Sequence, residues 1–129
     1  MADRLFCSVA KNNTPHHEII WSDTNHLAFL DINPSRNGHT LVIPNKHWPN
    51  IACLPKEEYR QLFEAARQVS LLLKEKTQCH IVALVTEGSS VAHAHIHLIP
   101  LEKGEALASF KQQLTTPQEL ALIAKNIRE

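Results

Sequence analysis

The segment HAHIHLIP, residues 93–100, alternates histidine with small or apolar residues and closes on an apolar run and a proline. Successive side chains of an extended chain point to opposite faces, so a strand here sends His93, His95 and His97 to one side. Ala94, Ile96 and Leu98 then face the other side, where Ile99 and Pro100 continue a buried strand. The segment asks for an apolar core on one face and a row of imidazoles on the other.

The rest of the chain supplies a sheet to hold such a strand. Residues 18–31 read EIIW, SDTNH and LAFLD, two apolar segments around a polar turn, which predicts an antiparallel pair. Pro34 and Gly38 punctuate a loop, and HTLVIP, ending at Pro44, predicts a third, central strand. Over residues 56–76, Tyr59, Leu62, Phe63, Ala66, Val69 and Leu73 recur at three- and four-residue spacing, the mark of one long amphipathic helix. HIVALV and AHIHLIP follow as two strands, with TEGSSV as a tight antiparallel return. Residues 116–127, opened by Thr116-Pro117, predict a terminal helix. Strands, a helix, more strands and a last helix lack the regular alternation of a doubly wound fold, so the class expected is α+β, as a single domain over residues 1–129.

Composition narrows the function. Thirteen basic residues balance 13 acidic ones, leaving no basic excess for a DNA or RNA backbone. No apolar run approaches the roughly 20 residues of a membrane span, and MADRLFCSVAKNN lacks the core of a signal peptide, so a soluble cytoplasmic protein is expected. Cys7, Cys53 and Cys79 form no CxxC pair and read as reduced, mostly buried thiols.

Nine histidines stand out in a chain of 129 residues. Three imidazoles in a row suit a metal, since neutral imidazole ligates zinc and copper, or a solvated strand face. They equally suit phosphorus chemistry. An imidazole with a near-neutral pKa is a competent nucleophile, and a neighbouring histidine can orient it or protonate a departing group. The small residues of TEGSS, just before the triplet, would let a phosphate approach main-chain N–H groups.

HAHIHLI fits the pattern His-φ-His-φ-His-φ-φ, where φ is apolar, and LAFLDINPSRNGHTLVIPNKH forms a second block upstream. Together with LFCSV near the start, these resemble the histidine triad (HIT) superfamily, in particular bacterial proteins similar to its purine nucleoside phosphoramidases. The resemblance implies an α+β HIT-like fold: a five-stranded antiparallel sheet, one long helix and a C-terminal helix. It also implies a homodimer that binds a purine nucleotide such as AMP and forms a covalent nucleotidyl-histidine. By the same resemblance His95 is the nucleophile, His93 orients it, His97 contacts the phosphate and leaving group, and His39 completes the cluster. Asp31 accepts the ribose hydroxyls, as a carboxylate can. Ile32, Phe29, Phe6, Val9 and Leu41 form the sugar and base pocket; Ser90 matches the phosphate-contacting hydroxyl position, and Ser89, too short to reproduce a glutamine's reach, is a further nucleotide-binding candidate.

Two departures from the family pattern matter. Where many members carry a glutamine before the triad, this chain reads Gly88-Ser89-Ser90-Val91-Ala92, and its loop is shorter. Some relatives hold structural zinc with a CxxC pair and two histidines; Arg4 stands at the first cysteine position here, leaving Cys7, His47 and His93. No metal and no cofactor is therefore expected. The function expected is hydrolysis at the α-phosphorus of a nucleoside 5'-phosphoramidate or related nucleotide. The alternatives are a dinucleoside polyphosphate hydrolase or nucleotidyl transferase, with Lys46 and Arg36 as cations for the extra phosphates, or a purine-nucleotide binding module with little turnover.

Overall fold

A computed structural model describes residues 17–89, 91–107 and 114–129. Its elements in chain order are β1 (Ile19–Ser22), β2 (His26–Leu30), β3 (Thr40–Pro44), a 3-10 turn (Ile51–Cys53), helix α1 (Lys56–Thr77), β4 (Ile81–Val85), β5 (Ile96–Leu101) and helix α2 (Pro117–Arg128). The strands form one antiparallel sheet in the order β1-β2-β3-β5-β4. This is the five-stranded α+β architecture expected from the sequence.

Local chemistry sets the turns. The Asp23 carboxylate accepts the main-chain N–H groups of Asn25 and His26 at 2.8 and 2.7 Å and meets His26 Nδ1 at 3.0 Å, closing the β1–β2 turn. Between β2 and β3, Gly38 adopts a φ of +88°, and a Cβ there would also meet Pro100 Cγ at 3.1 Å. The positive φ favours glycine, and the close approach of Pro100 leaves little room for a side chain. The Asp31 N–H donates to the His39 carbonyl at 2.9 Å, which brings the two ends of this loop side by side.

Helix α1 carries Glu57 and Glu58 in its first turn and Lys74 and Lys76 in its last, charges that complement the helix dipole. Its buried stripe is Leu62, Ala65, Ala66, Val69 and Leu73. Tyr59, expected on that stripe, is instead exposed and stacks on Phe63. Helix α2 is capped by Thr116, whose side chain accepts the Glu119 N–H at 3.1 Å, and buries Leu120, Ala124 and Ile127.

Both helices pack on one face of the sheet. Ala28, Leu30, Val42, Ala94, Ile96 and Leu98 meet the helix stripes there in the main core. The alternate residues Leu27, Phe29, Leu41 and Ile43 form a second apolar cluster on the opposite face. His97 lies between Leu41 of β3 and Val85 of β4 in the ladder, in register with Leu41 and therefore on this second face.

Three expectations need correction. The strand carrying the triplet begins only at Ile96, so His97 alone of the three histidines lies within it. The reason is a change of hydrogen-bond partners: His93 Nε2 meets the Pro44 carbonyl at 3.0 Å and the Ala94 N–H donates to the Trp48 carbonyl at 2.7 Å, so residues 93–95 leave the β3 ladder. The β4–β5 connection occupies residues 86–95 and is not a tight return. Of the thiols, Cys79 is buried but Cys53 is exposed, because the 3-10 turn packs no residue fully inside; Cys7 lies outside the described residues.

Candidate active site

The site forms where the ends of β2, β3 and β5 meet on the helix-free face. Although residues 93–95 are outside the ladder, Ala94, Ile96 and Leu98 remain in the core and hold the histidines between them in place. His93 and His95 are almost completely buried. His97 keeps 26% of its side chain exposed, the most open of the three.

The three rings are not equivalent. His95 Nδ1 lies 2.7 Å from the main-chain carbonyl of His93, and a carbonyl can only accept, so that nitrogen carries the hydrogen. Nε2 of a neutral His95 then carries the lone pair. The His95 ring stands edge-on to His97, centroids 4.9 Å apart. The His93 ring is turned away and packs edge-on against His47, with the two Nδ1 atoms 3.2 Å apart. His93 thus reaches His95 through its backbone.

Asp31 and His39, neighbours across the β2–β3 loop, converge on His97. His39 Nε2 is 2.9 Å from His97 Nδ1, while Asp31 Oδ2 is 3.5 Å from the first and 4.0 Å from the second. Burial pushes His39 down to about 4. His97 falls to about 4 as well, through burial first and then the neighbouring His39 and His95, with Asp31 and Glu87 pulling the other way. Both rings are neutral near pH 7. Burial raises the Asp31 carboxyl, against the opposing pull of the Asn33 N–H and nearby histidines.

The HIT domain family matches residues 12–104. The chain belongs to the HIT family. An uncharacterised HIT-like protein of Methanocaldococcus jannaschii is 32% identical over 106 residues, 78% of this chain and 81% of that one. Among solved structures, a hypothetical histidine triad nucleotide-binding protein of Sulfolobus tokodaii superposes with a TM-score of 0.84 at 29% identity, covering 96% of this chain and 89% of that one. A Zn-bound histidine triad family protein of Mycobacterium smegmatis gives 0.76 at 26% identity, covering 95% and 91%. The fold described above is thus the HIT fold.

The remaining residues singled out in the sequence of this HIT protein divide clearly. Phe29 and Leu41 lie together in the helix-free cluster beside His97, and Ile32 is partly exposed just beyond Asp31. Ser89 turns inward on its own loop, its hydroxyl 2.8 and 3.0 Å from the Glu87 carboxylate oxygens. Phe6, Val9 and Ser90 lie outside the described residues. Arg36 is engaged with Glu102 and Glu105, and Lys46 lies over the Trp48 ring at 4.8 Å.

Sequence reasoning missed Thr86. Its hydroxyl donates to the His95 carbonyl at 2.8 Å, tying the end of β4 to the backbone at His95. A cleft of about 420 Å³ opens alongside, lined by Asn50, Ile51, Ala52, Thr86, Glu87 and Gly88. A larger cleft of about 470 Å³ lies between the β1–β2 turn and α1, and none of the candidate site residues lines it.

Asp31, His39 and His97 are also the one group of three among the described residues that could enclose a metal ion. Their separations of 2.9, 3.5 and 4.0 Å straddle the roughly 3.3 Å between neighbouring ligands of tetrahedral zinc.

Proposed function

We propose that this HIT protein hydrolyses a purine nucleoside 5'-phosphoramidate or a related nucleotide at its α-phosphorus, by way of a nucleotidyl group carried on His95. The observation that carries the reading is the 2.7 Å contact of His95 Nδ1 with the His93 carbonyl, which leaves Nε2 as the nucleophilic atom. In this mechanism Nε2 attacks phosphorus and the P–N bond breaks with its electron pair on nitrogen; the departing amine takes a proton from solvent, and the water that cleaves the adduct later returns one. Positive charge developing on the imidazole is stabilised through Nδ1–H by that same carbonyl. Water then attacks the nucleotidyl-His95, releasing the nucleoside monophosphate and restoring the ring.

Asp31 is assigned to the ribose hydroxyls and the Phe29 and Leu41 face to the sugar and base. The engagement of Arg36 with glutamates favours a monophosphoryl substrate over a dinucleoside polyphosphate. We assign no metal to the reaction. A second copy of the chain is assigned to the outer edge of β4, a five-residue strand without a charge whose Ile81 and Leu84 are 53% and 45% exposed.

The test is a single turnover of adenosine 5'-phosphoramidate with mass spectrometry of the quenched, unacidified protein. Wild type should show AMP release and a transient adenylyl adduct, both lost in His95→Ala. Tight AMP binding with neither adduct nor release in the wild type would replace this reading with a nucleotide-binding module.

A further inference from the structure

We propose that the main-chain N–H of Ser35 sets the tautomer of His97 from two hydrogen bonds away, through His39, making His97 a fixed hydrogen-bond donor at Nε2. The Ser35 N–H donates to His39 Nδ1 at 2.9 Å. An amide nitrogen can only donate, so His39 Nδ1 must present its lone pair. A neutral His39 then carries its single hydrogen on Nε2, and that nitrogen faces His97 Nδ1 at 2.9 Å. His97 Nδ1 accepts, and the hydrogen of neutral His97 is left on Nε2. The opposite arrangement would place a hydrogen on His39 Nδ1 directly against the Ser35 N–H, two donors 2.9 Å apart at a buried ring. Burial of both imidazoles, which favours their neutral forms, keeps the relay in this state near pH 7.

Two consequences follow for the chemistry. Neighbouring rings present complementary atoms, a lone pair on His95 Nε2 and an N–H on His97 Nε2. The first suits attack on phosphorus. The second suits donation to a phosphoryl oxygen or to the bridging atom of the leaving group, as a neutral donor that orients and polarises. This role of His97 rests on the function proposed above, whereas the tautomer itself does not. The second consequence concerns metal. With a hydrogen on His39 Nε2, the Asp31, His39 and His97 group lacks one of its three ligand lone pairs. It cannot coordinate zinc without breaking the Ser35 bond.

Long-range proton–nitrogen correlation spectra of the 15N-labelled, nucleotide-free protein near neutral pH read each tautomer directly. His39 and His97 should both appear as Nε2–H. His39→Glu places an acceptor opposite His97 Nδ1 and should invert His97 to Nδ1–H, whereas His39→Gln, which keeps a donor, should not. Should the Glu variant not fold, replacing Ser35 with its α-hydroxy acid removes only the N–H and should release His39 to a mixture of tautomers. Adding one equivalent of Zn²⁺ should leave the His39 and His97 signals in place. A wild-type His97 seen as Nδ1–H or as a mixture overturns the relay, as does a folded His39→Glu or Ser35 ester without change. Zinc shifts confined to His39 and His97 overturn the metal consequence. If the tautomers are as stated and no nucleotidyl adduct forms, the relay stands and the proposed reaction fails.

Discussion

The His93 side chain reaches across to the end of β3, where its Nε2 donates to the Pro44 carbonyl at 3.0 Å. This bond stands where a continuing strand would have placed a ladder bond, and it fixes the backbone carbonyl that holds His95. Removing it in His93→Ala leaves a buried carbonyl unsatisfied and opens a void, a loss of about 2–4 kcal/mol. Urea unfolding should show that loss, and adduct formation should slow by at least about tenfold as the His93 carbonyl moves. His93→Gln, which can still donate to Pro44, should recover part of both. Equal rates in wild type and His93→Ala would show that the backbone does not need this anchor.

His95→Asn retains a donor near the Nδ1 position but has no nucleophilic nitrogen. We expect AMP affinity within about threefold of wild type and no covalent adduct, since the change removes chemistry and leaves the site's packing close to intact. Calorimetric titration and adduct mass spectrometry on the same samples check both halves. An adduct surviving in this variant would move the nucleophile to another residue.

Asp31 offers one carboxylate oxygen to the Asn33 N–H at 2.8 Å and keeps the other beside His39 and His97. Asp31→Asn should weaken AMP binding by about tenfold, roughly 1.4 kcal/mol. It should also erase most of the preference for AMP over 2'-deoxy-AMP. A preference unchanged in the variant would place the ribose elsewhere.

Acid should destabilise the fold before carboxylates titrate. His39 and His97 have an unfolded value of 6.5 and folded values of about 4. Between those values the unfolded chain binds more protons than the folded one, so their contribution is complete above 6.5 and is lost as pH falls toward 4. Asp31 has the opposite sign, because its raised carboxyl keeps a proton in the folded chain above 3.8, and it works against that loss. Urea midpoints followed from roughly pH 7.5 down to 4.5 should fall steadily below about 6.5, and a flat profile would contradict neutral burial of the two rings.

At the outer edge of β4, Leu84→Lys should convert a dimer into a monomer while leaving the far-ultraviolet circular dichroism unchanged, because Leu84 is already 45% exposed within one chain. Analytical ultracentrifugation at micromolar concentration decides it. A wild-type protein that sediments as a monomer would remove the second copy from the proposal.

Much of this protein was legible in its sequence, because the signals were local and periodic. The alternation of Ala94, Ile96 and Leu98 with the histidines forecast a core-facing row that the structure keeps, even where the ladder stops. The three- and four-residue spacing from Leu62 to Leu73 forecast α1, and Thr116-Pro117 forecast the start of α2, since caps and amphipathic stripes depend on neighbours along the chain. What the sequence could not determine was which partner each polar atom takes. Period-two reasoning put three equivalent imidazoles on one face. Packing instead gave His93 to Pro44 and His47, His95 to a main-chain carbonyl, and His97 to His39. Such choices are settled between segments far apart in the chain, by which buried donor finds which acceptor. The Ser35 N–H makes the point most plainly: a backbone group present at every residue but proline, it can direct His39 only because tertiary structure sets it against that ring.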